Sequence, residues 1–143
     1  MSVVNLLTDS TTLILNGEVI NDLAEGDNIT LAPVNPSTSR INSIGGGVNI
    51  NSRSDSGVYD ATIRVQLMSD SDVLLNTWSK QRPATIVNGS AKQGYNRDGT
   101  DGVESWILEG GSFTTKPTRT SNSTDGNAMM EYVIQFRTAS RNL

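Results

Sequence analysis

Strict alternation of apolar and polar residues constrains this chain more than any other feature. From Val58 to Met68, Tyr59, Ala61, Ile63, Val65 and Leu67 fall on one side, and Asp60, Thr62, Arg64 and Gln66 fall on the other. An extended strand sorts its side chains this way, because successive residues point to opposite faces of a sheet. Met129 to Thr138 repeats the pattern, with Met130, Tyr132, Ile134 and Phe136 alternating with Glu131, Val133, Gln135 and Arg137. One face of each strand therefore belongs to a core and the other to water.

Glycine, Asn and Asp cut the rest of the chain into short pieces of the same character. Thr11–Leu15 reads as a strand ended by a hairpin turn at Asn16-Gly17, a dipeptide suited to positive φ. Asn28–Ala32 reads as a second strand, stopped by Pro33, with a turn over Val34–Ser39. Ile41, Ile44, Val48 and Ile50 read as a strand entering a long loop through Gly45-Gly46-Gly47 and the polar run Asn51–Ser56. Further strands are expected at Ala84–Asn88, Val103–Glu109 and Ser112–Lys116, with exposed, mobile loops over Ser90–Thr100 and Pro117–Asn127. One helix interrupts the series. Ser69 or Asp70 caps it, Val73, Leu74, Thr77 and Trp78 recur at helical spacing, Lys80 and Arg82 suit its C-terminal dipole, and Pro83 ends it.

Four strands, a helix and four more strands predict a mainly β, single-domain chain over residues 1–143. The expected fold is an antiparallel β-sandwich or half-barrel of two sheets, with one short flanking α-helix and a long inter-strand loop. Only 35% of the residues are hydrophobic and 5% aromatic, while Asn, Ser and Thr make roughly a third. A core this slender and strands this polar leave edges that a second subunit is expected to cover.

The chain has no His and no Cys. Histidine bases, Ser-His-Asp triads, thiol nucleophiles, His/Cys zinc sites and disulfides are therefore excluded. A net charge of -4 is the wrong sign for gripping phosphates. No apolar run approaches the roughly 20 residues of a membrane span, and the N-terminus lacks a basic leader, so a soluble chain with no membrane insertion is expected. Asn96, Asp98, Thr100 and Asp101 superficially match a calcium loop, but the glycine register is wrong and a turn is the simpler reading. Gly45-Gly46-Gly47 lacks the Lys-Ser/Thr of a phosphate cradle. The carboxylate pairs Glu104 with Glu109 and Asp60 with Glu131 read as solvated strand faces rather than a glycosidase pair, so no enzyme and no cofactor are expected. Trp78 and Trp106 read as core or subunit-interface anchors, with a sugar-stacking platform as the competing reading.

The order TTLILNGEVI, INSIGGGVNINSRSDSGVYDATIRVQL, SDSDVLLNTWSKQ and MMEYVIQFRTA resembles the phage tail tube proteins of the contractile-tail (myovirus) type. The resemblance spans nearly the whole chain, and the same fold occurs in the inner tubes of type VI secretion systems and contractile bacteriocins. It implies hexameric rings stacked into a hollow tube inside a sheath, built on a baseplate and closed by a tail terminator. Such a tube belongs to the virion, is assembled in the host cytoplasm and conducts double-stranded DNA without specific binding during ejection.

The resemblance also implies an inter-subunit loop over Ile44–Gly57, carrying Gly45, Gly46, Gly47, Val48, Asn49, Ile50, Arg53 and Asp55. It implies a continuous inner barrel, for which Asp60, Thr62, Arg64, Gln66, Glu131 and Gln135 are the candidate lumen-facing residues. Arg64, and Arg137 on the same face, would then require acidic neighbours. A carbohydrate-binding β-sandwich module and another ring-forming tail component, a terminator or baseplate adaptor, are the alternatives.

Overall fold

The computed structural model describes residues 1–121 and 128–143. Among them the chain forms β1 (Val4–Leu15), β2 (Glu18–Val19), β3 (Ile29–Pro33), β4 (Thr38–Asn42), β5 (Val48–Ser52) and β6 (Tyr59–Gln66) before the helix α1 (Asp70–Ser79). After it come β7 (Val87–Arg97), β8 (Thr100–Phe113), β9 (Thr118–Thr120), β10 (Met129–Phe136) and β11 (Thr138–Asn142). The two strongly alternating segments are neighbours. β6 and β10 pair antiparallel over their full length, from Gln66 opposite Met129 to Tyr59 opposite Phe136. Ala61, Ile63, Val65, Tyr132, Ile134 and Phe136 consequently share one buried face.

Two antiparallel layers result. In one, β3 flanks β6, while β9 and the last residues of β8 flank β10. In the other the order is β2-β1-β7-β8-β11. β8 belongs to both layers and turns from one to the other at Gly110-Gly111. Gly110 has φ +65°, and a Cβ on Gly111 would stand 2.5 Å from the Phe136 ring and 2.9 Å from the Val87 carbonyl oxygen. These glycines thus make a corner in one strand rather than a turn between two. Leu13, Leu15, Val87 and Leu108 close the core from the second layer.

Helix α1 covers an open side of the sandwich. Ser69 Oγ accepts the Asp72 N–H at 3.2 Å, and Ser71, Asp72 and Leu75 are its buried residues. Inside the sandwich the Tyr132 hydroxyl donates to Asp72 Oδ1 at 2.6 Å, and Asp72 Oδ2 accepts the Met68 N–H at 2.9 Å. The helix therefore presents a different stripe from the expected one: Leu74 and Trp78 pack on the core, while Val73 and Thr77 face water. An ordered polar contact at Asp72 sets the rotation of the helix, and apolar spacing does not reveal it.

Several expected boundaries are corrected. The loop expected over Ser90–Thr100 is β7 turning into β8 at Asp98-Gly99, with φ of 51° and 85°. Pairing on both sides, to β1 and β8, holds β7 extended although Ala91 is the one fully apolar contribution of its Ser90–Arg97 stretch to the core. The strand expected at Ala84–Asn88 starts only at Val87, and Thr114–Lys116 lie outside β8. β1 begins at Val4, well before Thr11. The turn expected over Val34–Ser39 gives way to β4 at Thr38, and the long loop beyond it is the β4–β5 hairpin. Thr138 begins a separate strand, because the chain changes layers at Arg137. Of the loop expected over Pro117–Asn127, Thr118–Thr120 form β9 and residues 122–127 lie outside the described residues.

Candidate assembly surfaces

The β4–β5 hairpin stands apart from both layers. Its strands pair with each other from Thr38 opposite Ser52 to Asn42 opposite Val48, and with no other described strand. Every residue of both strands is exposed, including Ile41, Val48, Asn49 and Ile50. Ile44, Gly45, Gly46 and Gly47 form its tip, where the Ser43 N–H donates to the Gly47 carbonyl at 2.7 Å and Gly46 adopts φ +89°. The foot is built more firmly. Arg53 grips Asp55 with two bonds of 3.0 and 2.8 Å, and this hydrogen-bonded guanidinium holds the Asp55 carboxyl below the usual carboxylate range. Asn35 Nδ2 donates to the Asp55 carbonyl at 3.2 Å, and Gly57 leads into β6 beside Thr138. A two-stranded hairpin with no third strand and no covered face is at best marginally stable in water.

The second surface is the outward face of β6 and β10. Asp60, Thr62, Arg64 and Gln66 share it with Glu131 and Gln135, in the register set by the pairing of the two strands. Arg64 Nε donates to Glu131 Oε2 at 3.0 Å, and its Nη1 donates to the Asp27 carbonyl at 2.8 Å. Gln135 Nε2 donates to Asp60 Oδ1 at 3.1 Å. The guanidinium on this face is thus neutralised by its cross-strand neighbour. Arg137, expected on the same face, lies past the end of β10 at the layer-changing corner, where its N–H donates to the Gly110 carbonyl at 3.4 Å.

A cleft of about 450 Å³ opens between β3 and the second layer, lined by Asn28, Ile29, Leu31, Lys92, Glu104 and Trp106 among others. Trp106 is half-buried there. Its Nε1 donates to Glu104 Oε1 at 2.9 Å, and Tyr59 meets it edge-on with centroids 5.6 Å apart. Arg141 Nη2 donates to Glu104 Oε2 at 2.7 Å, and this bond first, then the indole N–H, holds the Glu104 carboxyl below its usual range. Glu104 is an ionised acceptor rather than an acid ready to give a proton. Trp78, on the helix, packs against the core. In the Asn96–Gly102 stretch, Asn96 Nδ2 donates to Asp101 Oδ1 at 2.8 Å and Asn96 Oδ1 accepts the Gly99 N–H at 3.0 Å, so these oxygens serve the turn.

Sequence reasoning overlooked exposed apolar residues at the far end of β1, where Val4 and Leu6 share one face of the sheet and Leu7 lies on the other in the same row as Val103 of β8. The only available signal was the run Val3-Val4 and Leu6-Leu7, whose length is too short to separate from a frayed terminus.

No family model and no curated protein sequence matches the chain. Among solved structures, that of Hcp1 from Flavobacterium johnsoniae superposes on it with a TM-score of 0.50 at 10% sequence identity, covering 92% of this chain and 94% of that one. The chain therefore has an Hcp-like fold, a likeness that lies in the backbone and not in the sequence.

Proposed function

We propose that the chain is the subunit of a hollow tube, built from hexameric rings that stack along one axis. The observation that carries this reading is the β4–β5 hairpin, whose two strands are exposed on both faces and expose Ile41, Val48 and Ile50 to water. Such an element becomes stable when another copy covers it. β3 is likewise an open sheet edge, and head-to-tail contacts that close into rings leave no such edge unpaired. The Hcp-like fold supports the reading, being the fold that the sequence resemblance to contractile-tail tubes implies.

Within that assignment the tube is the inner tail tube of a contractile phage, part of the virion, with sheath, baseplate and terminator as partners. Double-stranded DNA passes through its lumen. The outward face of β6 and β10 suits the lumen because Arg64 is held by Glu131, leaving no unpaired cation among the described residues of these two strands' outward face to retain a phosphate. The protein performs no catalysis in this role.

Negative-stain microscopy of the purified chain, with light scattering across concentration, is expected to show rings that lengthen into tubes. A chain that stays monomeric at high concentration overturns the reading. A second reading, a carbohydrate-binding module, is favoured by one observation, the Trp106-lined cleft. Retention of a monomeric chain on a polysaccharide column, lost in Trp106→Ala, would establish it instead.

A further inference from the structure

A further ionic feature of the subunit is a basic cavity that none of the acids among the described residues fills. About 640 Å³ in volume, it lies between the C-terminal end of α1 and the segment joining β8 to β9, lined by Asn76, Ser79, Lys80, Arg82, Phe113 and Lys116 among others. Among the described residues no carboxylate lines it, and Lys80, Arg82 and Lys116 take part in none of the ion pairs. All three are exposed. This concentration of cations stands out in a chain of net charge -4.

Its counterpart lies at the opposite edge of the same layer. The turn between Ala24 and β3 carries Glu25 and Asp27, both exposed; Arg64 reaches only the Asp27 backbone carbonyl, and neither carboxylate forms an ion pair among the described residues. Sheet register places the two features at one level. The Arg64 N–H donates to the Asn28 carbonyl at 2.8 Å, Arg64 stands opposite Glu131, and Glu131 stands opposite Thr118. One row thus crosses the layer from Asn28, next to the acidic turn, to Thr118, two residues beyond Lys116. The strand directions also agree. β3 and β10 both run antiparallel to β6, and β9 runs antiparallel to β10. When β3 of one copy lies against β9 of the next, the two strands are antiparallel like the rest of the layer, and the acidic turn meets the basic cavity without a shift in level.

We propose that the cavity lined by Lys80, Arg82 and Lys116 receives the Glu25-Gly26-Asp27 turn of a second copy of this chain, as an electrostatic latch that sets the register between neighbours in a ring. Gly26, at φ +83° with nothing within 4 Å of a notional Cβ, lets the turn project its two carboxylates past the sheet edge. The inference rests on the ring-forming reading and adds to it the side-to-side contact and its polarity. Like-charge contacts penalise the reversed order, acid edge on acid edge, so the latch also selects head-to-tail closure.

The test is a charge swap read by sedimentation velocity on the full chain, with circular dichroism confirming that each variant folds. Arg82→Glu with Lys116→Glu, and separately Glu25→Lys with Asp27→Lys, are each expected to raise the concentration at which rings form by about tenfold or more. Combining all four substitutions is expected to bring ring formation back toward wild type, and about 0.5 M salt is expected to weaken wild-type rings but not to be needed for any folding difference. If the wild type forms rings and neither reversal alters them, the latch is overturned while the ring reading stands, and the basic cavity belongs to a partner of another kind. A wild type that never leaves the monomer overturns the ring reading itself, and the latch with it.

Discussion

Tyr132 heads the fully buried side chains by volume, and its hydroxyl joins the core to the helix through Asp72. Burial first, and then the hydrogen bond and charge of Asp72, push its ionisation well above the ordinary tyrosine value of 10.0. The native state therefore keeps the phenolic proton where the unfolded chain loses it, at about pH 10. The sign follows from linkage: this contribution is fully present below pH 10 and declines as the solution becomes more alkaline, because the native state then binds more protons than the unfolded one. Tyr132→Phe removes a bond to a carboxylate in the interior and is expected to cost about 1.5–3 kcal/mol at neutral pH. It is also expected to flatten the loss of stability above about pH 10. Urea titrations of both proteins at neutral pH and at about pH 10.5 check the two halves together. A variant as stable as wild type at neutral pH would show that the hydroxyl only fills space.

Among the elements, the β4–β5 hairpin is separable from the fold that bears it. At its foot the Arg53 N–H donates to the Ser37 carbonyl at 3.0 Å, so the ends of the excursion already touch. Excising Thr38–Ser52 and closing the gap with two glycines is expected to leave the melting temperature of the monomer nearly unchanged and to abolish tubes. Tubes that persist without it would place the inter-subunit contact elsewhere. The hairpin also marks the limit of what the sequence discloses. β6, β10 and the helix cap were legible because burial on one face forces an apolar residue at every second position, and Ser69 supplies the capping oxygen. Apart from Val87 and Ala91 of β7, the strands β4, β5, β7 and β11 obey no such rule, being held by backbone pairing at exposed or half-exposed positions, where mostly polar side chains satisfy strand and loop equally. The break expected between Val103–Glu109 and Ser112–Lys116 is the Gly110-Gly111 corner of one strand, for a related reason. Paired glycines signal a backbone that side chains cannot follow, and only the position of Phe136 distinguishes a bend within a strand from a turn between two. The candidate lumen residues were legible as one face of a strand, whereas the basic cavity was not, since Lys80, Arg82 and Lys116 meet only through the tertiary fold.

For the molecule as a whole, the arrangement of charge matters more than its total. A tube that conducts duplex DNA has to be wetted by it without holding it, and each phosphate that a fixed cation neutralises adds affinity and a salt dependence of about 0.9 per contact in the log-log slope. On the outward face of β6 and β10 the balance is local: Glu131 occupies Arg64, and Asp60 is tied to Gln135. Removing both acids by Glu131→Gln and Asp60→Asn changes neither the apolar faces nor the register, but it leaves Arg64 unopposed once in every copy around the ring. Assembled wild-type protein is expected to show no retention of a short duplex at about 0.15 M salt, whereas the double variant binds it with a log-log salt slope steeper by about one for each phosphate engaged. Fluorescence anisotropy of a labelled duplex, titrated at several salt concentrations, reads both quantities. Equal affinity in the two proteins would mean that DNA does not meet this face, and the lumen would then have to be sought on the opposite layer, where Lys92 and Arg97 lie along β7.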